Sequence, residues 1–331
     1  MRRTFLATLI ASVCSLGLLT SAALAQPKVL VTIKPLHSLA AGVMGDLGTP
    51  SLLIEGAASP HTYSLRPSEA LMLAEADLVV WIGPTLERFM QRPLEALAED
   101  AETLRADSAP GVEILRARSG GSWEAHDHGH DHGHDHGHDP GHDHGDGQED
   151  AEEAGNSRRM DPHLWLDPDN AVAIVRALGE KLAALDPGNA AGYRANVKDY
   201  EARLKALDDA LRARLAPVAD SPYVVFHDAY QYFERHYGLH PVGAISVSPG
   251  RSPGARRVLE IQQRIKATGA QCIFAEPQFP PALVERLASD TGIRAAVLDP
   301  VGADLEAGPD AYPRLLDELA NAVVSCLSER D

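Results

Sequence analysis

The sequence predicts an α/β protein of two lobes, each built on a parallel sheet, with a long helix between them. Three observations carry this reading. Short apolar runs alternate with amphipathic stretches up to about residue 115, as buried strands alternate with helices. The same alternation returns after residue 220. Between the two halves runs a single apolar stripe of helical period, roughly 28 residues long. Strand–helix alternation implies parallel strands covered by helices on both faces.

In chain order, residues 1–25 read as a leader. Arg2 and Arg3 precede an apolar run from Phe5 to Leu19, which closes on Ala23-Leu24-Ala25. That pattern is a secretory signal peptide cleaved after Ala25, and the run is shorter than the ~20 residues a membrane span needs. The N-terminal lobe, 26–185, has strands expected at Lys28–Ile33, Leu52–Ile54, Leu78–Ile82 and Val112–Leu115. Pro67-Ser68 opens a helix through "SEALMLAEA". Residues from about 117 to 160 have no periodicity and too little apolar content to fold, so they form a disordered loop within this lobe. Asp167 then caps a helix that has Pro168 at its first position.

The linking helix, 186–216, starts at Asp186-Pro187. Its stripe is Tyr193, Val197, Tyr200, Leu204, Leu207, Leu211 and Leu215, about 42 Å of helix at 1.5 Å per residue. Such a stripe faces a core and also suits a strut between lobes. In the C-terminal lobe, 217–331, strands are expected at 223–226, 242–247, 272–275 and 294–298. Ser252-Pro253 and Pro280-Pro281 open helices there.

Composition narrows the function classes. A hydrophobic fraction of 44% supports real cores, and the formal charge is −17. Residues 119–160 hold eleven acids against Arg158 and Arg159. This balance repels nucleic acid and anionic lipid and suits cations. No glycine-rich phosphate loop and no GxSxG elbow occur. Beyond the leader only Cys272 and Cys326 remain. In an oxidising compartment an even pair reads as one disulfide, closing about 54 residues and stabilising by up to about 4 kcal/mol. The alternative is two buried free thiols. Without a CxxC pair, a thiolate zinc site or a redox enzyme is disfavoured.

Nine of the fifteen histidines crowd into "HDHGHDHGHDHGHDPGHDHG": His126, His128, His130, His132, His134, His136, His138, His142 and His144. Imidazole favours zinc, copper and nickel, so the tract points to metal. Glycine between the histidines leaves the backbone free, which yields many weak sites rather than one geometry.

Quieter histidines sit in more constrained places. His37 follows the first strand, His61 lies between a strand and a helix, His163 precedes the Asp167 cap, and His227 directly follows "YVVF". Glu276 stands just beyond "CIFA". Loops at the carboxyl ends of strands line the ligand crevice of open α/β sheets. Three histidines, His61, His163 and His227, completed by Glu276 or water, suit tetrahedral Zn2+, whereas manganese favours more oxygen. His236 and His240 have i, i+4 spacing without HExxH, and Gly238 breaks their helix, so they read as surface residues. Trp165 reads as packing.

The stretches "SPHTYSLRPSEALMLAEADLVVWIGP", "HLWLDP", "VVFHDAYQYFERHYGL" and "FAEPQFPP" resemble the periplasmic zinc-binding proteins of the ZnuA type. These form part of the metal-specific cluster of ABC-transporter solute-binding proteins. The resemblance covers nearly all of the mature chain, and the His-rich loop falls where that family carries one. It implies two (β/α) lobes joined by a rigid helix, with the ion in the crevice between them. It also implies His61, His163 and His227 as ligands and a Cys272–Cys326 disulfide. Some members have a glutamate just before the first ligand histidine, where this chain has Pro60, so the fourth ligand rests between Glu276 and water. The implied function is not catalytic: a monomer captures zinc in the periplasm and delivers it to a cognate ABC permease with a cytoplasmic ATPase. Three other readings are a member serving manganese or another divalent metal, a three-histidine zinc hydrolase or hydratase, and a metal buffer or adhesin working through the tract alone.

Overall fold

In the computed structural model, residues 26–119, 123, 160–246 and 253–328 are described. The leader with its cleavage point, and His126 to His144 of the tract, lie outside the described residues. The strands form two four-stranded sheets, parallel throughout. In the first lobe β1 (Val29–Val31), β2 (Ser51–Leu52), β3 (Leu78–Trp81) and β4 (Glu102–Arg105) stand in the order β2-β1-β3-β4. In the second, β5 (Tyr223–His227), β6 (Pro241–Ser246), β7 (Cys272–Ala275) and β8 (Arg294–Val297) stand in the order β6-β5-β7-β8. The two lobes thus repeat one topology. In each, the chain reverses its direction of travel across the sheet beside the first strand, which creates a crevice at the strand carboxyl ends. All residues of β1, β3, β5 and β7 are buried, as expected of central parallel strands.

One expected strand is replaced. Val112–Leu115 forms no strand, and the fourth strand of the first sheet is β4 instead. The backbone of 112–115 pairs with side chains and with loop backbone: Val112 N donates to the Ala109 carbonyl and the Leu115 carbonyl accepts from Asp161 N. Glu113 N donates to Asn170 Oδ1 at 2.7 Å, Asn170 Nδ2 donates to the Glu113 carbonyl at 3.0 Å, and Leu115 N donates to the Tyr232 hydroxyl at 2.9 Å. In β4 only Leu104 is buried, so its composition lacks the apolar signature of the other strands.

Among the described residues the helices are α1 (Lys34–Met44), α2 (Pro67–Ala74), α3 (Gln91–Leu97), α4 (Pro168–Leu185), α5 (Ala190–Leu215), α6 (Gln231–Tyr237), α7 (Ala255–Thr268), α8 (Ala282–Thr291) and α9 (Ala311–Leu327). The long helix is α5, with 26 residues and a length of about 39 Å. It begins four residues later than the Asp186-Pro187 signal. The Asp186 carboxylate accepts instead from Asn189 Nδ2 and the Tyr193 hydroxyl, closing the turn between α4 and α5. Its stripe is buried at Tyr193, Tyr200, Leu204, Leu211 and Leu215, with Val197 and Leu207 partly buried.

Helix α5 packs on α1 and α4 of the first lobe and on α9, which follows the second sheet. One apolar core therefore runs from β1 through α5 into β5, β7 and α9. A smaller core, including Val224, Ile245 and Ile273, lies under α7 and α8. Cys272 and Cys326 form a disulfide that ties the start of β7 to the end of α9. No helix among the described residues is long and apolar enough to cross a membrane.

Candidate metal centre

Three histidines from three distant segments meet at the carboxyl edge of the second sheet. His227 is the last residue of β5 and Glu276 the first after β7, its direct neighbour. His61 lies on the loop from β2 to α2. Glu69 fixes that loop by accepting from Arg66 N and the Tyr63 hydroxyl, at 2.7 and 2.6 Å. His163 leads into a short 3-10 turn, Leu164–Leu166, before α4. The Asp167 carboxylate caps α4 by accepting from Asp169 N at 2.9 Å.

The outer ring nitrogens converge. His163 Nε2 lies 3.1 Å from His61 Nε2 and 3.3 Å from His227 Nε2. Nitrogens bound to zinc at 2.0–2.1 Å in tetrahedral geometry stand about 3.3 Å apart, so the spacing fits one such ion. The inner nitrogens set the direction of the lone pairs. His163 Nδ1 donates to Asp161 Oδ1 at 2.7 Å, and the same oxygen accepts from His163 N. His227 Nδ1 and N both donate to Glu276 Oε1, at 2.7 and 3.1 Å. In His163 and His227, where the inner nitrogen donates to a carboxylate, Nε2 is left as the acceptor that a metal requires.

Electrostatics agree. Burial, followed by the neighbouring rings, lowers the pKa of His61 and His163 well below the ordinary histidine value. For His227 burial also opposes the charged form, but the Glu276 carboxylate, together with Asp228 and Asp161, outweighs it and the pKa is raised. Burial pushes Asp161 up to about 7. The cavity shared by the three rings has a volume of about 10 Å³ and apolar walls from Trp165, Phe279, Pro300 and Val301. That is room for one water-sized occupant.

Behind the histidines lies a partly buried charged cluster. The Arg118 guanidinium pairs with Asp228, which follows His227, and donates to Glu234 Oε2 of α6 at 2.7 Å. Arg118 also lies over the Trp123 ring at 3.7 Å. Arg116 and Met160 form an isolated bridge, so the two ends of the His-rich segment meet beside Asp161. Sequence reasoning did not select Asp161, Asp228, Glu234 or Arg118. The signal available was position alone: Asp161 precedes His163 by two residues, and Asp228 adjoins His227.

A model of the zinc-uptake complex component A periplasmic family, ZnuA, matches residues 29–326. The chain belongs to this family. High-affinity zinc uptake system protein ZnuA of Brucella suis is 48% identical over 306 residues, covering 91% of this chain and 92% of that protein. The Yersinia pestis protein of the same name is 36% identical over 312 residues, covering 92% of each. A zinc-bound crystal structure of a ZnuA deletion mutant superposes with TM-score 0.72 at 26% identity, covering 92% of this chain and 99% of that one.

In this family member, other sequence-selected residues are placed elsewhere. Glu276 stands on the inner side of His227, outside the cluster of converging ligand atoms. His37 is buried within α1 and donates from Nε2 to the Pro50 carbonyl at 3.0 Å. His240 is exposed, but His236 is not the surface residue its spacing suggested: its side chain is 8% exposed. Its Nδ1 lies 3.1 Å from Asp167 and its Nε2 2.7 Å from Asp208, so two carboxylates draw it in against α4 and α5. Trp165 packs on His163 and donates from Nε1 to the Pro300 carbonyl at 2.7 Å.

Proposed function

We propose that this protein captures a zinc ion on His61, His163 and His227 and hands it to a membrane permease of the ABC type. The observation that carries the reading is the convergence of three Nε2 atoms at zinc-like spacing, inside a cavity with room for one ion. Family membership supplies the biological setting. In that setting the chain is exported, its leader removed after Ala25, and works as a periplasmic monomer with a cognate permease and its cytoplasmic ATPase. The tract from His126 to His144 collects ions weakly, ahead of the selective site.

In this reading the fourth coordination position goes to water. Glu276 acts one step back, holding His227 as Asp161 holds His163. An all-imidazole protein shell favours zinc over manganese, which prefers oxygen donors. The site also suits binding rather than turnover. A hydrolase needs space for an organic substrate and a free general base. Here the space among the three rings is too small for an organic substrate, and Glu276 is engaged by His227.

The test is zinc titration against a competing chelator, using the mature chain and a His61→Ala, His163→Ala, His227→Ala triple variant with the tract intact. One tight equivalent is expected in the wild type and none in the variant, while the weak equivalents remain. A triple variant that keeps the tight equivalent defeats the assignment.

A further inference from the structure

Lys34 opens α1 in the first lobe, yet its side chain ends in the second. Its Nζ donates to the carbonyls of Gly302, Ala303 and Leu305 at 2.7, 2.6 and 2.7 Å. These use all three donors that an ammonium group has. Two influences oppose this placement. Lys34 is 8% exposed, and burial lowers its pKa. A cation in the first turn of a helix also meets the positive end of the helix dipole. Asp299, Asp304 and Glu55 favour the charge through space. The three carbonyls satisfy a cation that burial has stripped of water.

The loop that Lys34 grips is also a wall of the metal cavity, through Pro300 and Val301. From its own lobe the loop is held by the Tyr230 hydroxyl, which donates to the Leu298 carbonyl at 3.0 Å. Asp299 holds it from within, accepting from Gln278 Nε2, Val301 N and Ala303 N. Among the described residues, two side chains of the first lobe hydrogen-bond to it. One is Trp165, on the Pro300 carbonyl and with its ring centroid 5.4 Å from that of His163. The other is Lys34.

We propose that Lys34 is an inter-lobe pin: a positioning residue that holds the 299–305 loop against the cavity and thereby retains the bound ion. The inference rests on the zinc reading above and adds to it a residue that touches neither the ion nor its ligands. The pin stabilises the closed wall, so its loss speeds departure of the ion far more than entry.

The experiment uses the mature chain as wild type, Lys34→Met and Lys34→Arg, each loaded with one equivalent of zinc. Methionine keeps the length of the side chain without its charge or donors; arginine keeps the charge with a different donor geometry. Release into excess chelator and entry by stopped flow are measured. Zinc K-edge absorption reports the coordination shell, and hydrogen exchange is followed at the Ala303 and Leu305 amides. Lys34→Met is expected to release zinc at least about tenfold faster and to take it up within about threefold of the wild-type rate. The imidazole shell stays unchanged, both amides exchange faster, and Lys34→Arg falls between. Release within about twofold of wild type in a folded Lys34→Met protein overturns the pin. So does failure of both variants to fold, which would make Lys34 a folding residue. A wild-type chain lacking a tight zinc equivalent overturns the zinc reading itself, a result distinct from a tight site that Lys34→Met leaves unaltered.

Discussion

Asp161 and Glu276 occupy the same place on two different histidines, each accepting the inner N–H and the backbone N–H of its partner. Without the carboxylate a ring is free to rotate or to adopt the other tautomer, and Nε2 no longer points into the shared cavity. Asp161→Ala and Glu276→Gln are therefore each expected to weaken zinc binding about 10–100-fold. Chelator competition measures this, and zinc absorption spectra of the loaded variants should keep three imidazoles. Loss of an oxygen donor from the Glu276→Gln spectrum would instead make Glu276 a ligand. Protons compete for the same lone pairs. The raised pKa of His227 means that its zinc-competent neutral form is lost at a higher pH than for an ordinary histidine. Zinc affinity should thus begin to fall at that higher pH on acidification, with His227 the first ring to take a proton. Titrations from pH 8 to pH 5 check this; a flat affinity over the range counts against the three-histidine shell. His61 lies in the middle of the loop from β2 to α2, whereas His227 was legible as the end of a strand and His163 as the lead-in to a helix cap. Their carboxylate partners were less so: Glu276 lies 49 residues from His227, and nothing in one sequence tells a ligand from its support.

At the scale of elements, the close approach of α1 to α5 depends on a missing side chain. A Cβ placed on Gly42 would stand 2.6 Å from the Tyr200 ring. The ring is held, because its hydroxyl donates to the Pro309 carbonyl at 2.7 Å. Gly42→Ala must then push α1 from α5 or break that bond, and is expected to cost about 1–3 kcal/mol, the range for overpacking a close-packed interior. Chemical denaturation measures the loss; a Gly42→Ala protein as stable as wild type would show that the two helices have slack. Most elements could be read from apolar runs and their punctuation, including α4 from Asp167-Pro168 and α5 from its stripe. The exchange of Val112–Leu115 for β4 has a specific cause. A largely apolar tetrapeptide such as Val112–Leu115 becomes a strand only if its backbone pairs with a ladder. Here Asn170 and Tyr232 side chains, with the loop backbone of Ala109 and Asp161, supply the partners instead. An edge strand that buries one residue in four, as β4 does, leaves almost no periodic trace.

Across the whole molecule, the two lobes are bound together by more than a linker. The apolar core is continuous through α5, which packs against helices of both. Polar ties cross the same boundary: Lys34 to three carbonyls of the 299–305 loop, Trp165 to Pro300, Ser38 Oγ accepting from Tyr312 N at 2.8 Å, and Arg203 paired with Asp310 at 2.6 Å. A hinge opening by tens of degrees would have to break these together and expose buried side chains along α5, including Tyr200 and Leu204. Lobes that swing freely are usually joined by flexible linkers and modest polar interfaces, and this boundary is neither. Zinc release is accordingly expected to proceed through movement of loops, those carrying His61 and Pro300 first, with the lobes rotating by less than about 10°. Crystal structures of the zinc-free and zinc-loaded chain, superposed on one sheet, measure the displacement of the other. A rotation of tens of degrees would show that the continuous core yields on release, and that opening of the lobes rather than of the cavity wall lets the ion go.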